Sequence, residues 1–300
     1  MSANSSALNP LLFQKQSAPI YTLAICCAPF AAWPLPMMIA LNQLPPGAWR
    51  HVRGVLTDID DTLTTDGAIT PDALAALEAL RAAGLPVIAI TGRPAGWSEP
   101  FARTWPLSAI VAENGAVALA RQGGALRKWY FEPDAARRQA NYARLQAVAA
   151  RVLREVPLAR LAQDSAGRET DIAIDHGEFT HLPPAAIEQA AALMRAEGLT
   201  ATVSSIHING WIGGHDKLAG AHWIVQLLLG RRLADEMAHW VYVGDSTNDQ
   251  RMFQHFPNSV GVANVARFAP HMEHLPRYVA QGERGAGFAQ AAQAVLQGRG

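Results

Sequence analysis

The sequence predicts an α/β fold with a Rossmann-like parallel sheet, helices on both of its faces, and a second α+β domain inserted into it. Three observations carry this prediction. Short apolar runs alternate with helical stretches from Val52 onward, the alternation stops after Asn114-Gly115, and it resumes at Lys217. Because a strand, helix, strand series folds with right-handed crossovers into a parallel sheet, the interruption indicates an insertion.

The first part of the α/β series contains three predicted strands and a helix. Residues 54–57 are an apolar run that ends at Asp58, and two further buried strands are expected at residues 86–90 and 109–112. The intervening helix begins at Thr70-Pro-Asp, where the threonine is a suitable N-cap and the proline fits the first helical turn. It ends at Gly84, a residue type common after helix C-termini.

The pattern between Asn114 and Lys217 is that of an α+β layer. The expected elements are a hairpin of residues 116–120 and 126–131, a helix at 133–156, strands at 159–163 and 170–175, a helix at 184–197 and a strand at 201–209. The α/β pattern then returns with a helix at 217–229 and a strand at 240–244 that ends at Asp245. The predicted domains are therefore a catalytic core of residues 50–118 and 213–300 and an inserted cap of residues 119–212.

Residues 1–49 differ from the rest in composition. No charged residue lies between Lys15 and Arg50. Residues 20–41 are apolar enough to suggest a membrane span, but Pro29, Pro34 and Pro36 interrupt them and would leave backbone groups unpaired in lipid. We predict a disordered extension or a translation start at residue 37 or 38, with a cleaved signal as the alternative.

Overall composition excludes several classes of function. Twenty-five basic residues balance twenty-five acidic ones, so no bulk positive charge favours nucleic acid or anionic lipid. The two cysteines, Cys26 and Cys27, are adjacent, which excludes a disulfide framework and a cysteine-rich zinc site. We expect an enzyme or small-molecule binder in the cytoplasm, without a membrane or nucleic-acid partner. The composition does not indicate an oligomeric state.

Polar groups fall at the ends of the predicted strands or at the start of a helix. These groups are Asp58-Ile-Asp60-Asp61-Thr62, Thr91-Gly92-Arg93, Lys217, and Gly244-Asp245-Ser-Thr-Asn248-Asp249. The carboxyl ends of parallel strands meet at one crevice. Two carboxylates about 5 Å apart repel by roughly 3 kcal/mol at an effective dielectric constant of 20, so a divalent cation is expected among them. Oxygen ligands without nearby histidine or cysteine favour Mg²⁺.

Taken together, these motifs resemble the haloacid dehalogenase superfamily of phosphatases. The long insert, Thr91-Gly-Arg-Pro94 and Glu113-Asn-Gly-Ala116 are similar to subclass IIB, which contains Cof-type sugar phosphatases, sucrose-phosphate phosphatase and phosphomannomutase. The resemblance extends from about residue 53 to 296 and matches the cap only in outline. One departure is Asp61, because glycine is commonest at that position of the family motif.

The resemblance implies a two-step phosphoryl transfer. Asp58 would be the nucleophile that forms an aspartyl-phosphate, and Asp60 would be the general acid and base. Mg²⁺ would be bound by Asp58, Asp60 through its carbonyl, and Asp245, with Asp249 close behind.

It also implies how the substrate is held. Thr91, Gly92 and Lys217 would bind the phosphoryl oxygens, and Asn114 and Asn248 would orient the substrate or the groups around it.

Cap residues are candidates for recognising the leaving group. Side chains alternate between the faces of a strand, so polar residues of the predicted strands at 170–175 and 201–209 share one face. The candidates for sugar contacts are Arg168, Asp171, His207 and Asn209. The alternative is that they are merely polar residues on the solvated side of a half-buried sheet.

The function predicted from all of this is a Mg²⁺-dependent phosphomonoester hydrolase with a small phosphorylated partner, expected to be a sugar phosphate. A phosphomutase of the same fold and a non-catalytic ligand-binding protein are the alternatives. The presence of Asp58, Asp60, Lys217 and Asp245 together argues against the non-catalytic alternative.

Overall fold

The computed structural model describes residues 38–299. In chain order the strands are β1 (Ile39–Ala40), β2 (Gly54–Thr57), β3 (Thr64–Thr65), β4 (Ala68–Ile69), β5 (Val87–Ile90), β6 (Ala109–Ala112), β7 (Val117–Gln122), β8 (Ala125–Tyr130), β9 (Arg160–Leu161), β10 (Asp171–Asp175), β11 (Thr200–Val203), β12 (His207–Trp211), β13 (Trp240–Gly244), β14 (Ser259–Gly261) and β15 (Tyr278–Val279). The α-helices are α1 (Pro71–Ala82), α2 (Ala95–Thr104), α3 (Ala135–Glu155), α4 (Pro184–Ala196), α5 (Lys217–Leu229), α6 (Gln250–His255) and α7 (Arg284–Gln297).

A large, mainly parallel sheet forms the centre of the described chain. Its strand order is β1-β15-β14-β13-β2-β5-β6-β7-β8, and only β7 and β8 at one edge run antiparallel to their neighbours. Helices cover both faces, because Val55 of β2 packs in the apolar cluster that contains parts of α1 and α7, whereas Leu56 packs against α5 and α6. The predicted α/β fold with helices on both faces is confirmed.

The hairpin β7 to β8 lies in the large sheet, which corrects the predicted start of the insert at residue 119. Strand β7 pairs with β6, with Leu119 opposite Ile110. The physical reason is burial: Val117, Ala118 and Leu119 are fully buried, so consecutive residues of β7 need apolar cover on both faces. In the large sheet, Leu119 packs in the apolar cluster with α1 and α7, and Ala118 packs in the cluster with α5 and α6 on the other face.

Residues 38–49 also belong to the large-sheet part of the chain, so the predicted start of the core at residue 50 is wrong. Strand β1 pairs with β15 at the edge of the large sheet. Trp49 is 1% exposed, packs edge-on against Tyr278 and donates its indole N–H to Asn258. The predictions for residues 1–37 lie outside the described residues.

A small layer, defined here as residues 135–211, follows β8. Its antiparallel sheet has the order β11-β12-β10-β9, and α3 and α4 contribute to its apolar cluster. The single strand expected at residues 201–209 is instead the pair β11 and β12. Ser204 ends the first strand because its hydroxyl accepts hydrogen bonds from the backbone N–H groups of Ile206 and His207, which closes a turn.

A close backbone contact fixes helix α5 against the turn at Glu113–Gly115. A Cβ atom on Gly220 would lie 2.6 Å from the Cα of Gly115, and one on Gly115 would lie 2.2 Å from the carbonyl oxygen of Asp216. The left-handed φ of +108° at Gly115 further restricts that position to glycine. This contact sets the position of Lys217, the first residue of α5.

Among the described helices, none combines the length and apolar character needed to cross a bilayer.

The glycine contact generates a stability prediction. We expect Gly220→Ala to lower the free energy of unfolding by roughly 1–3 kcal/mol, because the added methyl group forces two backbones apart. Urea denaturation followed by circular dichroism measures the change. The matched control is Gly214→Ala in the preceding loop, where an added Cβ meets nothing within 4 Å. Equal stability of the two variants would contradict the proposed role of the contact.

Candidate active site

The predicted polar groups meet at the carboxyl ends of neighbouring strands. Asp58 follows β2, Thr91 follows β5 and Asp245 follows β13. Strand β2 lies between β13 and β5 in the large sheet, so these three residues are brought to one edge.

The ammonium group of Lys217 joins two carboxylates of this edge. Its Nζ donates to Asp58 Oδ1 and to Asp249 Oδ1, both at 2.7 Å. All three side chains are buried. Burial raises the pKa of Asp58 to about 7, while Lys217 acts in the opposite direction. Burial alone would lower the pKa of Lys217, but Asp249 and Asp58 outweigh it and raise that pKa.

Asp249 is saturated by protein donors. Its Oδ1 accepts from Lys217 and from the hydroxyl of Tyr242, and its Oδ2 accepts from the backbone N–H groups of Asp245 and Ser246. Asp249 is therefore an anchor that holds the loop after β13 and orients Lys217.

Asp245 is fully buried and has much weaker partners. It accepts from Asn264 Nδ2 at 3.1 Å and from Thr62 Oγ1 at 3.5 Å. No lysine or arginine in the described part of the chain forms an ion pair with it. Burial, together with the charges of Asp249 and Asp58, raises the pKa of Asp245 well above its ordinary value.

Three of the four predicted metal ligands form a cluster. One carboxylate oxygen from each of Asp58, Asp245 and Asp249 lies within 4.8 Å of the others. A buried carboxylate that lacks a cationic partner, beside two others, fits a hard divalent cation. The carboxylate of Asp60 is not part of this cluster. Its expected contribution through the backbone carbonyl stays a prediction.

The carboxylate of Asp60 is turned toward Arg93 instead. Arg93 Nε donates to Asp60 Oδ1 at 2.9 Å, and its two terminal nitrogens bind Asp164 and Glu178 of the small layer at 3.1 and 2.8 Å. Burial alone would lower the pKa of Arg93, but these carboxylates outweigh it and raise the pKa. The guanidinium group of Arg93 thus connects Asp60, in the loop after β2, with the small layer.

Thr91 and Gly92 lie beside these groups. Thr91 Oγ1 accepts a hydrogen bond from the backbone N–H of Arg93 at 3.0 Å, which leaves its hydroxyl proton able to donate to a ligand. A Cβ on Gly92 would lie 3.2 Å from Asn209 Oδ1 and 3.3 Å from Asn114 Oδ1. A side chain at position 92 would therefore crowd both amides.

The small layer contacts Gly92 through a buried polar network. Arg168 and Asn209 donate to the carbonyl of Gly92 at 2.9 and 3.4 Å. Asp171 accepts from Arg168 at 2.8 Å, from Asn209 at 3.2 Å and from Asn114 at 3.3 Å. The structure therefore brings these predicted residues to the site. Arg168 and Asp171 are engaged with each other, however, so their hydrogen-bonding groups are largely used within the protein.

His207, the remaining cap candidate, bonds to Glu178 at 3.0 Å. Burial alone would raise the pKa of Glu178, but His207 and Arg93 outweigh it and lower that pKa to about 2. Glu178 is therefore ionised at neutral pH.

Thr247 adds another contact between the large-sheet part of the chain and the small layer, because its hydroxyl donates to the carbonyl of Val203 at 2.6 Å.

A small cavity of about 10 Å³ lies between the large sheet and the small layer. The residues that line it are Asp58, Asp60, Gly92, Ser204, Ser205, Ile206, His207, Asn209 and Asn248. Two carboxylates, Asp58 and Asp60, thus line one small space whose volume is about that needed for a single water molecule. A larger cavity of about 470 Å³ lies elsewhere, near residues 41–47, and its described lining contains no titratable side chain.

Several residues of the site were missed by the sequence reasoning. Arg93 was noticed only as part of a strand-end motif, and Asn264 could have been found because it follows β14 within three residues. Glu113 is buried and accepts hydrogen bonds from Ala95 N and Thr170 N, which joins α2 to the small layer. Tyr242 lies inside an apolar strand, where no pattern distinguishes it from core.

Residues 55–165 match the family model of haloacid dehalogenase-like hydrolases. This match confirms the family resemblance. None of the curated proteins compared with the chain matches it.

Solved structures share the fold. A Thermoplasma acidophilum protein has a TM-score of 0.62 and 18% identity, with 82% of this chain and 99% of that chain covered. Sucrose-phosphatase from Synechocystis, solved with sucrose and phosphate, has a TM-score of 0.58 and 14% identity over 82% and 98%. The C-terminal domain of Candida albicans trehalose-6-phosphate phosphatase has a TM-score of 0.60 and 13% identity over 87% and 99%. At these identities the similarities show a shared fold.

The buried network at Gly92 generates a prediction about pH and stability. Burial raises the pKa of Asp171 from 3.8 to about 7, although Arg168 acts in the opposite direction. The folded state therefore binds this proton more tightly than the unfolded state does. The resulting stabilisation is complete below about pH 4 and is lost as pH rises through about 7.

Asp171→Asn cannot ionise and should lack this loss. Between pH 5 and pH 8, we expect the wild-type free energy of unfolding to fall by on the order of 1–3 kcal/mol more than that of the variant. Urea denaturation at the two pH values measures the difference. The control is Asp235→Asn, whose carboxylate is 61% exposed. Parallel pH profiles for wild type and Asp171→Asn would contradict the argument.

Proposed function

We propose that this protein is a Mg²⁺-dependent phosphomonoester hydrolase that acts on a small phosphorylated metabolite, with sugar phosphates as the expected class. The observation that carries the proposal is that Asp58 and Asp60 line one small cavity while Lys217 bonds to the first of them. The sugar-phosphate class is supported by the fold shared with sucrose-phosphatase and trehalose-6-phosphate phosphatase. Phosphorylated metabolites are intracellular compounds, so the expected location is the cytoplasm.

Asp58 acts as the nucleophile in the first step. Its Oδ1 is held by Lys217, and its Oδ2 makes no hydrogen bond to the described residues. Attack on phosphorus forms a bond between Asp58 and phosphorus and breaks the bond to the leaving oxygen, which takes a proton from Asp60. The product of this step is an aspartyl-phosphate and a free alcohol.

Water completes the reaction. Asp60, now a carboxylate, removes a proton from a water molecule, and the resulting oxygen attacks phosphorus and displaces Asp58. Arg93 orients Asp60 for both steps, because the guanidinium group holds one carboxylate oxygen and leaves the other without a hydrogen bond to the described residues. The sum of the two steps is hydrolysis of a phosphate ester to an alcohol and inorganic phosphate.

The developing charge is met by fixed donors. Lys217 lies between Asp58 and Asp249, and the Thr91 hydroxyl has a free proton, so both can donate to phosphoryl oxygens. Asn248 lines the same cavity. These donors are held by buried contacts before substrate binds, so little reorganisation is needed.

The acidic cluster supports Mg²⁺ as the cofactor. Asp58, Asp245 and the backbone carbonyl of Asp60 would hold it, and Asp249 would support them through the loop that it anchors. When bound, the cation neutralises charge on the phosphoryl oxygens. The small layer is the proposed cap, because it covers Gly92 and reaches Asp60 through Arg93.

Turnover of p-nitrophenyl phosphate tests the proposal. We expect Mg²⁺-dependent release of p-nitrophenol that EDTA abolishes and that Asp58→Asn lowers by about 10³-fold or more, since it removes the nucleophile. The exposed Asp235→Asn is the matched control and should retain wild-type activity. Comparison of melting temperatures establishes that Asp58→Asn is folded.

Unchanged turnover in Asp58→Asn would contradict the mechanism. A sugar-phosphate panel separates the alternatives. Conversion of one sugar phosphate into another with little phosphate released would identify a mutase, and ligand-induced stabilisation without any turnover would identify a binding protein.

A further inference from the structure

A second cavity adjoins the small one and has a volume of about 330 Å³. Its wall is made of Asp60, Asp61, Thr64, Asp66, Gly67, Arg93 and Arg284 from the large-sheet part of the chain and Gly177, Glu178, Phe179 and Ile206 from the small layer. Asp60 and Ile206 line both cavities. The two spaces therefore meet beside the proposed general acid.

The shared wall at Asp60 and Ile206 indicates where the phosphoryl group and the leaving group of a substrate would lie. The cavity at Asp58 has a volume of about 10 Å³, so it has no room for a leaving group the size of a sugar. The proposed acid, Asp60, must reach the oxygen that joins the two parts. The larger cavity is on the far side of Asp60, so the leaving group would extend into it.

The wall of the larger cavity carries an excess of negative charge. Asp61, Asp66 and Glu178 face two guanidinium groups, which gives a net charge of −1 while Asp60 holds its proton and −2 once Asp60 is ionised. Each guanidinium group is outnumbered by the carboxylates with which it pairs. Arg93 binds three carboxylates, and Arg284 forms ion pairs with Asp61 at 3.1 Å and Asp66 at 2.6 Å.

Asp61 contributes to this charge at a position that glycine would occupy with less strain. Its φ is +53°, in the left-handed region, which glycine adopts most readily and which aspartate and asparagine tolerate better than most other residues. Asp66 and Arg284 also have positive φ values, of +50° and +53°. The three side chains form one ion-paired group on the cavity wall, so the residue that departs from the family motif is used here to place a carboxylate.

The loop opposite this group is rigid and offers both a charge and an apolar surface. Asp175 accepts hydrogen bonds from the backbone N–H groups of Gly177, Glu178, Phe179 and Thr180. It thereby fixes Glu178 and leaves Phe179, which is 61% exposed, at the edge of the cavity. An aromatic ring at that place can pack against the apolar face of a sugar or an aryl group.

We propose that this cavity binds the leaving group and selects by charge, favouring neutral polyhydroxylated or cationic leaving groups and rejecting anionic ones. This inference rests on the proposed phosphatase function. Hydroxyl and ammonium groups can donate to the carboxylates of Asp61, Asp66 and Glu178, whereas a carboxylate or second phosphate on the leaving group is repelled. The specificity residues are then Asp61, Asp66, Glu178 and Arg284.

Three aryl phosphates that share a para-substituted phenyl ring and differ chiefly in the charge of the substituent test the selection. They are the phosphate esters of 4-ethylphenol, tyramine and 3-(4-hydroxyphenyl)propanoic acid, whose leaving groups are neutral, cationic and anionic and have similar phenol acidity. We expect kcat/KM to fall about three- to tenfold at each step from the cationic to the neutral to the anionic ester at low salt. This difference should shrink as ionic strength rises.

Variants on the cavity wall should change the ratio of kcat/KM values in opposite directions. Asp61→Asn and Asp66→Asn each remove one negative charge while keeping a residue that tolerates positive φ, so each should raise the anionic-to-neutral ratio severalfold. Arg284→Gln removes a positive charge and should lower that ratio. Glu188→Gln changes the net charge on the exposed surface of α4, where its carboxylate is 72% exposed, and should leave the ratio unchanged.

The outcomes separate this inference from the function on which it rests. No turnover of p-nitrophenyl phosphate or of any of the three esters would overturn both. Turnover of all three esters with kcat/KM values within about twofold of one another would overturn only the charge selection. The same conclusion would follow if Asp61→Asn and Arg284→Gln left the ratio where it is in Glu188→Gln.

Discussion

The bond from the buried ammonium group of Lys217 to the carboxylates of Asp58 and Asp249 is the interaction on which the site depends. Three carboxylates that approach within 4.8 Å would repel each other without a positive charge among them. Lys217 supplies that charge from the first residue of α5. Its position is set by the contact of Gly220 with Gly115, so a backbone contact without polar side chains determines the electrostatics of the site.

The same constraint reaches beyond the cluster. Lys217 donates to Asp249, and Asp249 also holds the loop after β13. Asp245, in that loop, is buried and has only the amide of Asn264 and the hydroxyl of Thr62 as side-chain partners. One ammonium group stands against three carboxylates, and Asp245 is the one without a cationic partner among the described residues. A bound cation could offset the remaining negative charge.

A second set of ion pairs and hydrogen bonds joins the large-sheet part of the chain to the small layer. Arg93 links Asp60 to Asp164 and Glu178, and Arg168 links Gly92 to Asp171. Breaking such a pair would leave an unpaired charge buried, so these pairs stabilise the contact between the large sheet and the small layer. The groups that position the proposed general acid are thus also groups that hold the small layer in place.

The sequence by itself determined the α/β fold and the residues after its strands. Asp58, Thr91, Asp245 and Lys217 could be predicted to meet, because parallel strands place their carboxyl ends at one edge and apolar runs reveal those strands. The turn that divides β11 from β12 is closed locally by the hydroxyl of Ser204 and was missed. The assignment of β7 to the large sheet could not be predicted, since it depends on which surfaces are available for pairing.

Only the tertiary structure decided how the charges are shared. Arg93 is far in sequence from Asp164 and Glu178. Nothing in the local pattern of these residues indicates that the guanidinium group of Arg93 binds both carboxylates. Likewise, Asp61 reads as a departure from a motif until Arg284, more than two hundred residues later, is seen beside it. Strand periodicity is a local property of the chain, whereas the pairing of buried charges depends on distances that exist only after folding.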